Sequence, residues 1–448
     1  MTVETDPLVL IQDLVERALK AGADSADAVA GLSTSISHAQ RLGKTEKLER
    51  QESQDLGLRV LIGKRQAIVS SNDWNPDGLA LLVDRAIAMA KNVPEDSFCG
   101  IADPDQIVGE NYPKLEMFDP QEPSAETLIA RATETEDAAL AVAGITNSEG
   151  AEASWGQSRI ALAASNGFAG RYQGSNHSIA VSVLAGTGTA MESDYDYSSA
   201  IFGSDLTDPA EIGRSAANRA LKKLGARKPP SAKVPVVFDP RVSGGLVRHL
   251  TSAINGAAIA RGTSFLKNKM GQAVMSPEIT IVDDPHRARG LASKPFDAEG
   301  LANMRRNLVE DGVLQTWILD LRAARQLGLT STGHASRGTS SPPSPSTTNL
   351  HMEPGNVSPT DLMSDIKSGF YITSVMGMGV NMVTGDYSRG ASGFWIENGQ
   401  IAYPVNEVTI AGNLVDMFLA MTPADDLDFK YATNAPTIRI DGMMVAGT

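Results

Sequence analysis

The pattern of apolar and polar positions divides the chain into amphipathic helices and short strand-like runs. The first helix has one apolar face at helical spacing, formed by Leu8, Ile11, Leu14, Val15 and Ala18. Asp6 can cap this helix, and Pro7 suits its first turn. The same criteria predict further helices over residues 76–91, 125–143, 208–225 and 242–260.

Strand-like runs occupy most of the remaining chain. They are predicted over residues 26–41, 56–71 with a turn near Gly63, 151–199, 234–238, 278–282 and 371–414. Asn166-Gly167 and Asp311-Gly312 are typical of hairpin turns. Residues 340–346 (SSPPSPS) cannot form a helix, and the sequence leaves open whether they form a surface loop or a flexible lid.

These elements predict an α+β protein with two halves. The N-terminal half combines helices with a mixed sheet, and the C-terminal half is β-rich, a strongly twisted and barrel-like sheet. Arg227-Lys228-Pro229-Pro230 is typical of a linker, which predicts domains over residues 1–230 and 231–448. Five prolines between residues 93 and 123 allow a further boundary inside the first domain.

Composition and charge exclude several functional classes. The net charge of −14 is spread along 448 residues without a basic stripe, which disfavours direct binding to nucleic acid. No apolar run approaches the roughly 20 residues of a bilayer span, and the N-terminus lacks the order of a secretory signal. A single cysteine, Cys99, excludes an intramolecular disulfide. We therefore expect a cytoplasmic protein without a membrane or nucleic-acid partner.

The usual catalytic and metal-binding signatures are missing. The histidines are His38, His177, His249, His286, His334 and His351. No two of them lie within five residues, whereas a zinc site on a helix needs two imidazoles one turn apart. His351 and Glu353 could chelate a metal, but such a pair in a loop is more often a solvated surface feature. We therefore predict no catalytic and no metal-binding residue in this chain.

Five polar residues are candidates for binding a peptide. His334 and Arg337 lie in a polar loop that could present hydrogen-bond donors, and Asn381, Asp386 and Arg389 lie among the glycines of residues 371–414. Each has a structural alternative. The loop around His334 could satisfy its own backbone through Ser and Thr, and Arg389 could pair with Asp386.

The C-terminal string GVNMVTGDYSRGASGFWIENGQIAYPVNEVTIAGNL resembles the signature of the TldD/PmbA (TldE) family, also called modulators of DNA gyrase. Supporting strings are LGLTSTG at residues 327–333 and GTSF at residues 262–265. The resemblance covers essentially the whole chain. It implies a peptidase family in which the TldD-like branch carries a His-Glu-x-x-x-His zinc motif upstream of the Gly-Thr-Ser string.

The zinc motif is not present at the corresponding position. Residues 247–252 read Val-Arg-His-Leu-Thr-Ser, so the resemblance places the chain in the PmbA/TldE branch. It then implies a metal-free subunit that pairs with a zinc-bearing TldD-like paralogue to cleave unfolded or extended peptides, with zinc in the paralogue only. Two alternatives remain open. The chain could be a stand-alone homodimeric peptide-binding or scaffold protein, or an independent hydrolase using His334, His351 and Glu353.

Overall fold

The computed structural model describes residues 6–109 and 112–447. Glu110 and Asn111, which belong to the proline-rich stretch of residues 93–123, lie outside the described residues, as do residues 1–5 and 448. Helices and strands alternate in the N-terminal half, and short strands dominate the C-terminal half. The α+β class predicted from the sequence is confirmed.

A six-stranded sheet forms the N-terminal half, in the order β3-β2-β1-β4-β5-β6. Its strands are β1 (Ser25–Arg41), β2 (Lys44–Ile62), β3 (Arg65–Ser71), β4 (Ile145–Ala164), β5 (Ala169–Ala185) and β6 (Glu192–Ala200). All five strand pairs are antiparallel, so the expectation of a mixed sheet was wrong. Hairpins connect β1 to β2 and β3, and β4 to β5 and β6, and a hairpin makes an antiparallel pair. The two groups of strands are joined by antiparallel pairing of β4 with β1, although two helices separate them in the chain.

Four helices cover one face of this sheet in two pairs. They are α1 (Pro7–Lys20), α2 (Pro76–Asn92), α3 (Ala125–Leu140) and α4 (Pro209–Lys222). Asp6 caps α1 as predicted, with Oδ1 accepting from the Leu8 N–H at 3.0 Å. α1 and α2 bury Ala26, Ala28 and Ala30 of β1, while α3 and α4 bury Ile36 further along the same strand. The even-numbered positions of β1 therefore face the helices.

The first part of β2 was not predicted from the sequence. Residues 44–55 (KTEKLERQESQD) are almost all polar and are exposed on both faces, so they lack the alternation that marks a half-buried strand. They pair with β1 along their full length through residues such as Leu48, which lies opposite His38. The pairing partner, and not the side-chain pattern, makes this segment a strand.

The C-terminal half contains thirteen strands within residues 231–447, most of them short. They are β7 (Ala232–Phe238), β8 (Ile281–Asp283), β9 (Arg306–Glu310), β10 (Val313–Leu314), β11 (Ala335–Ser336), β12 (Ser344–Pro345), β13 (Leu350–Met352), β14 (Ser368–Met376), β15 (Asp386–Glu397), β16 (Gln400–Asn413), β17 (Met421–Pro423), β18 (Thr433–Asn434) and β19 (Ile438–Ala446). Its helices are α5 (Pro240–Ala253), α6 (Gly256–Ala260), α7 (Leu321–Leu327), α8 (Pro359–Met363) and α9 (Leu414–Leu419).

A closed barrel organises the C-terminal half, as the sequence predicted. The strands β16, β15, β14, β7 and β19 are neighbours in that order, and pairing of β16 with β19 closes the ring. Val236, Phe370, Ile410 and Ile438 are fully buried members of its core. A second, five-stranded sheet (β10-β9-β8-β13-β18) carries the segments that approach the N-terminal half.

The single helix predicted over residues 242–260 is two helices. α5 ends at Ala253, and the side chain of Asn255 caps α6 by accepting from the Ala257 N–H at 3.0 Å. A Cβ on Gly256 would lie 2.8 Å from the Ile318 carbonyl oxygen, so the chain turns where only glycine fits against residues 318–319.

The proline segment of residues 340–346 lies between the two halves of the protein. β12 pairs with β11, and Pro345 accepts a hydrogen bond from the Asn255 side chain at 2.9 Å. Just before it, the Thr339 carbonyl lies so close to Gly57 of β2 that a Cβ there would be 1.8 Å from the oxygen. Most residues of the segment are exposed, so of the two alternatives the described contacts correspond to a surface loop.

Candidate peptide-binding site

A cleft of about 400 Å³ separates the N-terminal sheet from residues 290–294 of the C-terminal half. Its floor is formed by Ser33, Ser35, Gly156, Ser158, Gly174 and Asn176, and Thr34, Met117, Gln157, Tyr172, Ser175 and Ile201 also line the cleft. Because odd-numbered positions of β1 point away from the helices, this floor belongs to the sheet face that the helices leave uncovered. Its side chains are short and mostly polar. The cleft therefore offers hydrogen-bonding groups without a deep pocket for any one side chain, a shape that suits an extended peptide of varied sequence.

One end of the cleft leads to a buried junction between the two halves. A smaller cavity of about 40 Å³ shares Tyr172 and Lys294 with the cleft and is also lined by Arg337. The Arg337 side chain is only 1% exposed, and its Nη1 donates to Asp27 of β1. Asp27 also accepts from Arg59, with 2.9 Å between Nε and Oδ2. One carboxylate thus joins two guanidinium groups across the junction.

Opposing effects act on the Asp27 carboxylate. Burial disfavours its charge, but the charges and hydrogen bonds of Arg337 and Arg59 outweigh burial and lower the Asp27 pKa. Among the described residues, Nε and Nη2 of Arg337 have no hydrogen-bond partner. The side of this guanidinium away from Asp27 therefore keeps donors available next to the small cavity.

Two further carboxyl groups lie in the same junction. Burial, reinforced by the neighbouring Asp297 charge, raises the pKa of Glu299 to about 8. Burial also raises the pKa of Asp297 to about 6, although backbone N–H groups of Leu301, Glu299 and Ala335 bind its oxygens. Glu299 accepts from the Leu321 N–H at 2.8 Å. The raised pKa values favour the protonated form of these two carboxyl groups, because burial and their mutual repulsion disfavour two negative charges side by side.

The structure buries His334 instead of presenting it in the cleft. Its ring is 4% exposed, with Nδ1 2.8 Å from the Thr332 hydroxyl and Nε2 3.2 Å from Oδ2 of Asp283. Neighbouring Ser and Thr groups thus satisfy this loop, as the structural alternative expected. His351 pairs in register with Val282, the residue next to Asp283. Because successive strand residues point to opposite faces, His334 and His351 approach β8 from opposite sides.

Asn381, Asp386 and Arg389 lie on the connection between β14 and β15 and on β15 itself. Asn381 and Asp386 shape this turn, since Asn381 Oδ1 accepts from the Val383 N–H and Asp386 Oδ2 accepts from the Thr384 hydroxyl. Arg389 does not pair with Asp386. The two residues are three apart in a strand and point to opposite faces, and Arg389 Nε donates instead to the Met376 carbonyl at 3.1 Å.

The helix position that resembles the zinc motif has the wrong chemistry for zinc. Val247 of α5 is fully buried in the C-terminal core, and Arg248 is exposed. Burial, together with Arg389 and Arg248, lowers the pKa of His249 to about 4, and its ring lies edge-on to Tyr387. Within residues 6–109 and 112–447, no three His, Cys, Asp or Glu side chains converge as metal ligands. The residues at this position do not fit a zinc ion.

The five residues predicted from the sequence therefore fall into two separate groups. His334 and Arg337 lie in the interdomain loop, and only Arg337 lines a cavity next to the cleft. Asn381, Asp386 and Arg389 lie on the barrel hairpin. Their role in binding a peptide stays a prediction. Sequence reasoning missed Lys294 and the serine-rich floor, for which the alternating serines of residues 33–37 were the available signal.

Family models match most of the chain in three consecutive parts. They are the PmbA/TldA metallopeptidase domain 1 at residues 26–90, the central domain at residues 118–224 and the C-terminal domain at residues 231–447. The described part of the chain contains no helix long and apolar enough to cross a membrane.

Relatives and solved structures agree with these matches. The chain is 35% identical to metalloprotease PmbA of Escherichia coli O157:H7, over 98% of this chain and 96% of the relative. It is 36% identical to the metalloprotease PmbA homolog of Haemophilus influenzae, over 97% of this chain and 94% of that relative. A modulator of DNA gyrase from Bacteroides thetaiotaomicron, 28% identical, superposes with a TM-score of 0.91 over 98% of both chains. TldE from Thermococcus kodakarensis, 20% identical, shares the fold with a TM-score of 0.86 over 98% of this chain and 100% of the TldE chain.

Proposed function

The chain belongs to the PmbA/TldD metallopeptidase family, and from this premise we propose that it is the metal-free subunit of a two-subunit peptidase. Its partner is a zinc-bearing, TldD-like paralogue, and the substrates are unfolded or extended peptides. The catalytic zinc belongs to the partner, where it would activate water for attack on a peptide bond. This chain contributes binding surface.

The observation that carries this proposal is the composition of α5. A catalytic zinc site of this type needs two neutral imidazoles and a carboxylate on one helix. Here the first ligand position is Val247, which is buried in the core, and the position of the carboxylate is Arg248. A cation beside His249 further disfavours a metal ion, which adds positive charge.

The interdomain cleft supports the peptide-binding part of the proposal. A serine-rich floor can exchange hydrogen bonds with a peptide backbone whatever the peptide sequence, and the acidic chain as a whole does not favour phosphate backbones. A subunit with little sequence preference would suit substrates that are recognised by being unfolded.

The subunit assignment is tested by assaying the purified chain alone and mixed with its zinc-bearing paralogue on an unstructured peptide. We expect no cleavage by the chain alone, and cleavage by the mixture that a chelator abolishes. Chelator-sensitive cleavage by this chain alone would contradict the assignment. Peptide binding without any co-purifying paralogue would favour the stand-alone binding or scaffold protein.

The cleft is tested by a pair of tryptophan substitutions in the N-terminal half. Ser35→Trp places a large ring on the cleft floor, and Glu134→Trp places the same ring at an exposed position of α3, which does not line the cleft. We expect Ser35→Trp to weaken peptide binding at least roughly tenfold, about 1.4 kcal/mol, and Glu134→Trp to leave binding near the parental value. Equal effects of the two variants would exclude the cleft as the peptide site.

The independent-hydrolase alternative has no support in the geometry. His351 Nε2 lies 3.4 Å from Glu353 Oε1, but His334 is buried against Asp283 on the other side of β8. The three groups do not converge on one point, as a hydrolytic site requires.

A further inference from the structure

The small cavity at the junction of the two halves is lined by two cationic side chains. It measures about 40 Å³, and Arg337 and Lys294 supply the cations. Much of the remaining wall is apolar, with Leu162 and Phe296 among its buried residues. Lys294 and Tyr172 line the cleft as well, so the cavity lies at one end of the cleft. A group that enters from the cleft therefore meets two positive charges in a mainly apolar environment.

Arg337 has two donors for which no described residue supplies an acceptor. Its side chain is 1% exposed, and Nη1 donates to Asp27. Nε and Nη2 have no hydrogen-bond partner within the described residues. These two atoms form one edge of the planar guanidinium group, and such an edge can bind both oxygens of a carboxylate at once. Because leaving buried donors unpaired is unfavourable, this edge favours an acceptor in the cavity.

Lys294 is a second cation without a carboxylate partner. Its Nζ donates to the Ser336 hydroxyl at 3.2 Å, and no ion pair within the described residues includes it. Burial lowers the pKa of its ammonium group, although the charges of Asp297 and Asp283 act in the opposite direction. A bound anion would give this charge a partner.

Asp297, an acid that lines the cavity, directs its oxygens to backbone groups. Oδ1 accepts from the N–H groups of Glu299 and Leu301, both at 2.9 Å, and Oδ2 accepts from the Ala335 N–H at 3.2 Å. Burial raises its pKa to about 6. Within the described residues Asp297 forms no ion pair with either cation, so both remain available to a ligand.

The size of the cavity suits a small anionic group. A single water needs roughly 10–15 Å³, so about 40 Å³ holds a few heavy atoms and no large side chain. The contact of Arg337 with Asp27 and the buried ring of Phe296 leave no path for an extended chain beyond it. The cavity can therefore receive the end of a peptide but cannot let a longer chain pass through.

We propose that this cavity binds the C-terminal carboxylate of a peptide that lies in the cleft. The free edge of Arg337 holds both carboxylate oxygens, and Lys294 adds a second positive charge where the cleft meets the cavity. Proteins bind peptides in this way when they recognise a chain end. A cleft with little sequence preference would thereby select released chain ends over internal segments of folded proteins. This inference rests on the proposed peptide-binding role of the cleft.

Two forms of one unstructured peptide test the anchor. The free acid and the C-terminal amide share one sequence and differ only in the charge of the last group. We expect the purified chain to bind the free acid at least roughly tenfold more tightly, because the amide loses charge-assisted hydrogen bonds. Fluorescence anisotropy with an N-terminal label measures both dissociation constants. Equal affinities, with binding of both forms still weakened by Ser35→Trp, would overturn the anchor and leave the cleft as the peptide site.

Substitutions at the two cations locate the anchor. Arg337→Lys keeps a positive charge beside Asp27 but removes the fork, and Lys294→Gln removes the second charge. Each should lower the ratio of free-acid to amide affinity roughly threefold or more. Lys267→Gln, at an exposed position of the same half, is the matched control and should keep the parental ratio.

An unchanged ratio in Arg337→Lys and in Lys294→Gln would show that the carboxylate binds elsewhere and would contradict the proposal. Lys294→Gln leaves the contact of Arg337 with Asp27 intact, so it decides the question even if Arg337→Lys does not fold.

Acetate tests the cavity without a peptide. A ligand that binds only the folded protein raises its melting temperature. Sodium acetate, compared with sodium chloride at equal ionic strength, should raise the melting temperature of the parental chain and of Lys267→Gln more than that of Lys294→Gln. Equal shifts in the three proteins would overturn the carboxylate site. A shift that depends on Lys294, in a chain that binds neither peptide, would instead contradict the proposed role of the cleft and the peptide as the source of the carboxylate.

Discussion

At the scale of single residues, the junction between the two halves keeps ionisable groups in unusual states. The charges and hydrogen bonds of Arg337 and Arg59 lower the pKa of Asp27, while burial raises the pKa of nearby Glu299 to about 8. Removing one member of a buried ion pair commonly costs about 3–5 kcal/mol, because the remaining charge has no partner. The pKa values of the two carboxyl groups shift in opposite directions because their neighbours differ, and residue type alone does not predict this difference.

Glu299 makes the stability of the protein depend on pH. The unfolded chain releases this proton near its ordinary pKa of 4.5, whereas the folded protein holds it up to about 8. Between these values the folded state binds more protons, so the free energy of unfolding falls as pH rises, by up to about 1.4 kcal/mol per pH unit. Glu299→Gln, which imitates the protonated acid, should remove this slope.

Chemical denaturation at several pH values between 5 and 8 checks this prediction. The difference in free energy of unfolding between the parental protein and Glu299→Gln should favour the parental protein most at pH 5, and it should shrink toward pH 8. Exposed Glu16, which lies 3.7 Å from Lys20 on α1, provides the matched control, and Glu16→Gln should leave the pH dependence unchanged. Parallel pH curves for the parental protein and Glu299→Gln would show that Glu299 is ionised in the folded state.

At the scale of elements, β2 is a single strand that is exposed along its first part and buried along its second part. Its second part is buried between β1 and β3, and its first part, residues 44–55, projects as an open edge. Gly57 lies where the two parts meet, directly beneath the Thr339 carbonyl of the C-terminal half. The absence of a side chain at this position lets the loop from the other half approach the strand.

Substitution of Gly57 should therefore disturb contact between the halves. A Cβ there would lie 1.8 Å from the Thr339 oxygen, so we expect Gly57→Ala to lower the free energy of unfolding by about 1–3 kcal/mol, the usual cost of overpacking. Gly31 on β1 is the matched control, because its Cβ would meet only the Ile160 Cδ1 at 3.6 Å. Urea denaturation of both variants measures the difference. Equal stability of the two variants would mean that the loop moves away without cost.

At the scale of the whole molecule, the two halves share an apolar cluster and are not independently packed. Phe296 of the C-terminal half is 2% exposed and contacts Phe168, in the turn between β4 and β5, and Tyr172 of β5 at ring-centroid distances of 5.1 and 5.5 Å. Asp194 of β6 and Arg241 of α5 form a second link, with 3.0 Å between Oδ1 and Nη2. We therefore expect the two halves to unfold together.

Phe296→Ala tests this coupling. Removal of a buried phenylalanine ring should cost about 3–5 kcal/mol, and because the ring joins the two halves, the loss should separate their unfolding transitions. Differential scanning calorimetry should show one transition for the parental protein and two for the variant. Phe429→Ala, at a position 40% exposed, should retain one transition. If Phe296→Ala lowers the transition temperature but still shows a single transition, contacts other than the Phe296 ring couple the two halves.

The sequence by itself determined the four helices of the N-terminal half, the α+β class, the barrel-like C-terminal half and the family. Helical spacing and capping residues such as Asp6 act locally, and the glycine-rich signature requires specific backbone turns. Both features depend on residues close in sequence, so the sequence alone predicts them. The same local reasoning showed that the zinc ligands are missing from residues 247–252.

Only the tertiary structure decided which residues meet. It brought Arg337 to Asp27, 310 positions apart, and placed the serines of β1 opposite residues 290–294 to form the cleft. It also made a strand of residues 44–55 through pairing with β1, although their side chains show no burial pattern. The physical reason is the same in each case. Burial, pKa and strand pairing depend on neighbours that are distant in sequence, and the type of a residue does not specify those neighbours.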